Sequence, residues 1–395
     1  MIKQFVVSLY NEDIFNTASI EGMLASTQEK WHKYPPDVIG MWLADPDFPH
    51  SPFIKKALHD AVDAGDLYYS YSTSTQDSMI AKIKRKNGLT IGRDDLYIHP
   101  GVIAGMWFGI QISHAKPGDE IILNDPMYQH FYRQARDANL KPVYWKLDDQ
   151  KGYRFDEEEL KKIVTPRSKL IFMCNPHNPT GRVMTKQELK AVADCAVDHK
   201  IPVMVDELWE DIVFDGRKHI TLASLSPEIS DLTITTWGIS KTWGIPGLQC
   251  GYTATTNKQI MDDIKKCSAE VYSGATTLGR AAARAVLDEK SEYWIRGIMK
   301  QLHKTRDIAT RRLTEMGCKV PELQGTYLML PRFNVKMSHD ELFKLILEKA
   351  KVGLQSGTDF GPNGAMHLRM TIATSEIILN EALDRIERVL QKTLR

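Results

Sequence analysis

"KLIFMCNPHNPTGRV", residues 169–183, joins an apolar run to two Asn-Pro pairs and a Thr-Gly step. KLIFMC (169–174) has the length and continuous apolarity of a strand covered on both faces. Beyond the loop, Thr185 and Glu188 have capping-box spacing, and Leu189, Val192, Ala193, Ala196 and Val197 fall on one helix face. A second apolar run, IPVMVD (201–206), follows. Strand, helix and strand in that order predict a βαβ unit of right-handed crossover. DEIIL (119–123) and DLTITTW (231–237) read as further strands of one sheet, so the expected fold class is α/β.

A chain of 395 residues exceeds one simple core and predicts two domains. Lys and Arg number 51 against 50 Asp and Glu, and no long basic block occurs, so nucleic acid is excluded as an expected partner. The five cysteines are scattered without a CxxC pair or metal-ligand spacing, which predicts reduced thiols and no metal. MIKQFVVSLYNEDIF at the start lacks a signal-length apolar core, and no run of about 18 uncharged apolar residues appears. The expectation is a cytoplasmic protein with no membrane partner. No GxGxxG follows a strand and no GxxxxGK[ST] occurs, which removes the dinucleotide and P-loop classes.

In open parallel sheets ligands bind beyond the carboxyl ends of the strands. The residues there are Tyr128, Asn178, Asp206 and Lys241: an aromatic ring, an amide, a carboxylate and an amine. HPGVIAGMWFG adds Gly101 ahead of a helix with an apolar stripe of Ile103, Met106, Trp107 and Ile110, whose first turn offers free N–H groups to an anion. Pyridoxal 5'-phosphate would use every member of this set. Its aldehyde suits Lys241, its phosphate the helix N-terminus, its ring Tyr128, its ring nitrogen Asp206 and its ring oxygen Asn178. The prolines and Gly181 of the loop would hold Asn178 in place. Taken singly, each residue has a plainer reading. Asp206 and Glu207 could open a solvated loop, Tyr128 could pack beside Phe131 and Tyr132, Arg369 could pair at the surface, and Trp42 could be core. His177 has no assigned role and is expected at the surface. Only the ordered combination favours a site.

NPHNPTG, VDELW, SKTWGIPGLQCGY and HLRMTIAT resemble, in order and across nearly the whole chain, the motif series of the fold-type-I, class I/II aminotransferases. MWLADPDFP, DPMYQHFYRQA and KTWGIPGLQ are most similar to the branch of cystathionine beta-lyase-like proteins of the MalY/PatB type. The resemblance implies a large domain over 50–285, with a mostly parallel seven-stranded sheet covered by helices, and a smaller α+β domain built from 1–49 and 286–395. It implies Lys241 as the catalytic Schiff-base lysine. Gly101, Val102, Ile103, Tyr128, Asn178, Asp206 and Ser240 would hold the cofactor, and Tyr71 would reach the phosphate from the neighbouring subunit of a homodimer with shared sites. Arg369, assisted by Asn178, would take the substrate α-carboxylate, with Trp42 and Trp209 as walls.

Three positions depart from the pattern. Gln249 stands where most relatives carry a phosphate-binding Arg, Gly238 where a Ser hydroxyl is common, and Trp209 where Tyr or His is usual. The implied reaction is amino-group transfer between an L-amino acid and a 2-oxo acid. Carbon–sulfur β-elimination to pyruvate and ammonia is the runner-up, and a cofactor-binding regulatory protein without turnover is third. No clear second Arg for a dicarboxylic substrate is present. In the second half, Trp294, Ile298, Leu302, Ala309 and Leu313 have helical spacing up to Gly317, and GTYLMLPRF (325–333) reads as a strand. Ser338 with Glu341 caps a helix carrying Leu342, Leu345 and Ile346, and Leu379, Leu383, Ile386 and Leu390 mark the last one.

Overall fold

The computed structural model describes residues 14–69, 72–268 and 274–393. Its main sheet has seven strands: β1 (Leu96–His99), β2 (Glu120–Asp125), β3 (Lys141–Lys146), β4 (Ser168–Cys174), β5 (Val203–Asp206), β6 (Thr233–Gly238) and β7 (Gly251–Ala254). Their order is β1-β7-β6-β5-β4-β2-β3. Every pair from β6 to β3 is parallel, while β7 runs antiparallel to β6 and β1. Alternate side chains enter two cores. Ile121, Leu123, Leu170, Phe172 and Met204 face one, and Ile122, Ile171, Met173, Val203 and Val205 face the other. Burial on both faces is why these strands read as continuous apolar runs.

The connections follow the sequence signals. Thr185 and Glu188 form the capping box that opens the helix Lys186–His199, and Leu189, Val192, Ala193 and Ala196 are buried along it. The helix Val102–Ile112 is buried more completely than its expected stripe. Val102, Gly105, Phe108, Gly109 and Ile112 are covered along with Met106 and Ile110, whereas Ile103 is exposed. The second half supplies the long helix Glu292–Glu315, the Ser338-capped helix His339–Lys344 and the final helix Glu376–Thr393.

Two small sheets stand apart from the main one. Ile39–Gly40 pairs with Val352–Gly353, and the strand Leu368–Thr371 lies between Gln355–Ser356 and Leu328–Met329. They bring the two ends of the chain together: Thr371 N donates to Met41 O at 2.9 Å and Asp47 N to Ala373 O at 2.8 Å. The expected strand over 325–333 shrinks to Leu328–Met329. Thr326 takes a left-handed φ of 64°, its hydroxyl accepts from Leu328 N at 3.0 Å, and Pro331 has no N–H for a ladder. All five cysteines are free thiols. Among the described residues, no helix is long and apolar enough to cross a membrane.

The Asn-Pro loop is closed by its own backbone. Gly181 N donates to His177 O at 2.8 Å and His177 N to Arg182 O at 2.7 Å, while Gly181 O accepts from Gln324 N at 3.0 Å and Gly325 N at 2.7 Å. Gly181 has a φ of 70°, and a Cβ there would lie 2.2 Å from Leu323 Cδ1. Gly181→Ala therefore meets both backbone strain and a clash, and is expected to cost about 2–4 kcal/mol in urea unfolding. Gly247→Ala, where a Cβ meets nothing within 4 Å, is the control and should change stability by less than about 0.5 kcal/mol.

Candidate active site

The carboxyl ends of β2, β4, β5 and β6 open into a cavity of about 760 Å³. Gly101, Val102, Ile103, Tyr128, Asn178, Asp206, Ser240 and Lys241 all line it. So do Trp42, Trp209, Gln249 and Arg369, so every candidate residue but one meets there. The exception, Tyr71, lies outside the described residues.

Lys241 occupies the short helix Ser240–Trp243 that follows β6. Its Nζ donates to Ala44 O at 2.8 Å. Burial lowers its pKa to about 8, against the pull of Asp45 and Asp206. Ala44 O is also within reach of the Tyr327 hydroxyl at 3.3 Å, and Tyr327 packs edge-on against Trp209 at 4.7 Å between ring centroids. The 44–47 segment is pinned from behind: Lys30 Nζ donates to Asp45 O at 2.6 Å and pairs with the buried Asp47 at 2.7 Å.

Asp206 ends β5 and is buried, not the start of a solvated loop. Its Oδ1 accepts from Leu208 N at 2.9 Å, and the Cys174 thiol lies 3.9 Å from Oδ2. Burial pushes the carboxyl up to about 7. The neighbouring Glu207 turns away into a polar layer, where its Oε2 accepts from Thr221 Oγ1 at 2.8 Å and Trp237 Nε1 at 3.0 Å. Glu207, Glu210 and His219 bring ligand atoms within 4.8 Å of one another. Glu210, however, is already engaged by Lys82 and Asn87.

Arg369 is buried on the strand Leu368–Thr371 rather than paired at the surface. Nη1 donates to Asn178 Oδ1 and Nη2 to Trp42 O, each at 2.9 Å, and Gln355 Oε1 accepts a further bond. Its guanidinium lies 4.7 Å over the Phe360 ring, and Nε has no partner among the described residues. Phe360 is held in turn by its carbonyl, which accepts from Met127 N at 2.7 Å and Tyr132 Oη at 3.0 Å.

The departures from the aminotransferase pattern have visible consequences. A Cβ at Gly238 would stand 3.0 Å from both Leu208 Cδ1 and Val102 Cγ2, so those apolar groups fill the space a serine would enter. Gly101 has φ 145° and ψ 161°, a region open almost only to glycine, and a Cβ there would meet nothing nearer than Gln249 Oε1 at 4.0 Å. This leaves an uncrowded cradle at the N-terminus of an 11-residue helix, suited to a phosphate. A buried carboxylate with a single backbone bond to one oxygen calls for a cation, as a protonated pyridine would supply. Tyr128 keeps its proton, its pKa pushed to about 12 by burial. The donor set fits pyridoxal 5'-phosphate.

His177 contradicts its expected surface position. It is fully buried against Phe155, with Nδ1 2.8 Å from Thr180 Oγ1 and Nε2 without a partner among the described residues. The sequence reading also missed His99, Tyr327, Gln355 and the Ala44 carbonyl. His99 Nδ1 meets Gly101 O and Nε2 meets Thr253 Oγ1, both at 2.8 Å, which fixes the helix entrance. A His two residues before the helix-opening glycine was the one usable signal.

Residues 36–386 match the family model described as aminotransferase class I and II. Aspartate aminotransferase of Pyrococcus abyssi is 30% identical over 361 residues, covering 90% of this chain and 92% of that protein. Cystathionine beta-lyase PatB of Bacillus subtilis is 28% identical over 388 residues, covering 94% and 98%. Among solved structures, cystalysin of Treponema denticola, which contains a pyridoxal 5'-phosphate cofactor, superposes with a TM-score of 0.90 at 26% identity over 96% of this chain and 99% of that one.

The raised carboxyl of Asp206 has a definite pH signature in cofactor-free protein. Its folded pKa, about 7, stands above the usual carboxylate value, so the protonated form favours folding. That contribution is complete below about pH 4 and is lost as pH rises through about 7. Relative to Asp206→Asn, the cofactor-free wild type should lose up to about 4 kcal/mol between pH 4 and 8 in urea titrations. Parallel curves for the two proteins would show that Asp206 does not carry the shift.

Proposed function

The chain belongs to the aminotransferase class I and II family, and from that premise we propose that it moves an amino group between an L-amino acid and a 2-oxo acid at Lys241. The observation that carries this reading is the shared cavity: a half-buried amine of lowered pKa, a buried carboxyl, and a buried guanidinium whose Nε has no partner among the described residues. Pyridoxal 5'-phosphate, when bound, supplies an aldehyde for the substrate amine and a cationic ring that accepts the electron pair left at the α-carbon. The protein's residues do the rest. Asp206 holds the ring-nitrogen proton, since a buried carboxylate is stable there only beside a positive charge. Arg369 takes the α-carboxylate and sets the distance from it to Lys241. Lys241, with an amine drawn toward neutrality, removes the substrate's α-proton and holds it on Nζ for return.

Residues 50–285 and the paired chain ends, 1–49 with 286–395, form the two walls in this reading, with Arg369 on the second. Closure between them excludes water. A homodimer with shared sites belongs to the same reading. Leu67, Tyr68 and Tyr69 stand exposed in succession, Tyr69 at 98%, a surface that a subunit contact would cover.

A second reading, carbon–sulfur β-elimination, is favoured by Gln249 and by the full-length likeness to a cystathionine beta-lyase. The same proton abstraction serves it, followed by loss of a thiolate from the β-carbon. Purified holoenzyme incubated with amino acid and 2-oxo acid pairs should exchange amino groups, and Lys241→Ala should lower the rate about 10³-fold or more. Arg369→Lys should raise KM about tenfold or more, since one point charge replaces the planar fork. Pyruvate and ammonia from cystathionine, without exchange, would select the lyase. Neither product from cofactor-loaded protein would leave the regulatory reading.

A further inference from the structure

A second cleft, of about 560 Å³, lies between residues 146–159 and the turn at 362–367 and shares no lining residue with the Lys241 cavity. Its volume suits a small molecule. Two buried side chains on its floor have atoms without a partner among the described residues: the hydroxyl of Tyr153, 2% exposed, and Nε2 of His367, 4% exposed. Such groups are costly to bury unless something meets them. Tyr153 also holds a left-handed φ of 55°, uncommon for a bulky residue.

The charges around the cleft are unequal in what they still have to offer. Asp149 is held by Arg332 at 3.4 Å and Lys319 at 3.8 Å, Asp156 caps a helix through Glu158 N at 3.0 Å, Glu159 pairs with Lys162 at 2.8 Å, and Asp148 accepts from Gln150 N at 2.8 Å. The cations Lys146, Lys151 and Arg154 line the same cleft, and none has a side-chain hydrogen bond or ion pair among the described residues. The lining acids and cations balance in number, but each acid has an oxygen engaged while Lys146, Lys151 and Arg154 keep free donors, and it is those donors that the cleft offers to an anion.

The floor narrows the chemistry. His367 Nδ1 lies 2.9 Å from Ala365 O, which can only accept, so Nδ1 carries the proton and Nε2 presents a lone pair. Burial lowers the His367 pKa and keeps the ring neutral. Asp149 Oδ2, at 3.7 Å, is too far to serve Nε2. Both floor atoms are sealed from solvent, so a ligand that meets them displaces their cover, bringing a donor to His367 and an oxyanion to the lysines and Tyr153. We infer that this cleft is a second ligand site, for a small hydroxyl-bearing anion of the phosphomonoester or carboxylate class.

Calorimetric titration of the holoenzyme at constant ionic strength tests this, with glycerol 3-phosphate against propyl phosphate and malate against succinate. At least one hydroxylated probe should bind saturably, one per chain and more tightly than its deoxy partner; which one binds identifies the oxyanion. Lys146→Ala with Lys151→Ala, and separately Tyr153→Phe, should each weaken binding about tenfold. Both lysines are exposed and Phe preserves the tyrosine ring, so these variants are expected to fold. Absence of binding up to about 10 mM overturns the inference. So does equal affinity for the deoxy partners, or binding unchanged in both variants, which would place the probes in the Lys241 cavity instead.

Discussion

Holding a half-buried amine and a buried carboxyl in one cavity is the constraint from which the rest of the site follows. Alone in a low-dielectric interior, Lys241 is driven toward the neutral amine and Asp206 toward the neutral acid. Each would find its charge only if the other, or a ligand, supplied the compensation. The fold keeps both poised instead of letting them collapse into a salt bridge. Asp206 is tied to Leu208 N, and Lys241 is parked on the Ala44 carbonyl. A lysine resting on a neutral acceptor is free to leave it, as the proposed alternation between nucleophile and base would require.

That parking place comes from far away in sequence. Ala44 belongs to a segment fastened by the buried Lys30–Asp47 pair and tied by backbone bonds to the strand Leu368–Thr371. The same strand carries Arg369, whose guanidinium reaches back to Trp42 O and across to Asn178. One hydrogen-bonded unit thus sets both the resting position of the amine and the position of the Arg369 guanidinium, the proposed carboxylate anchor. Removing either partner of the Lys30–Asp47 pair would strand a buried charge, so the unit is held more firmly than its loop-like sequence suggests.

Much of this was legible from the sequence because the sheet imposes a rule. Tyr128, Asn178, Asp206 and Lys241 each follow a strand buried on both faces, and parallel order places all such ends on one edge. Arg369 and Trp209 entered through resemblance alone, and they do line the cavity. What remained hidden lacks a side-chain signature. Any residue at position 44 has a carbonyl, and nothing in GTYLMLPRF shows that Thr326 will turn left-handed. His177 was misplaced because a loop of Asn, Pro, Thr and Gly reads as solvated. In the structure that loop closes on itself through backbone bonds and the His177–Thr180 contact and buries the ring, leaving His177 Nε2 without a partner among the described residues. The strands β1 and β7 are four residues each and antiparallel at one edge, too short for periodicity to mark.

The phosphate end shows how the chain differs from its relatives in physical kind. A guanidinium brings a full charge, whereas Gln249 brings only an amide dipole, and the helix beginning at Val102 offers roughly half a charge at its N-terminus. Gly238 has exchanged a hydroxyl for apolar packing between Leu208 and Val102. In the proposed reading the helix entrance would meet the phosphate with oriented dipoles, while Lys33 and Arg133, which line the same cavity, are described sources of countercharge. Dipoles fixed by His99 and the Gly101 turn cost little to reorganise, but they attract at short range only. In that reading the ring end, where Lys241 and Asp206 line the cavity, shares in holding the cofactor. The residues proposed to perform the chemistry would then also hold the group on which it is performed, which would tie cofactor loss and loss of activity to the same two side chains.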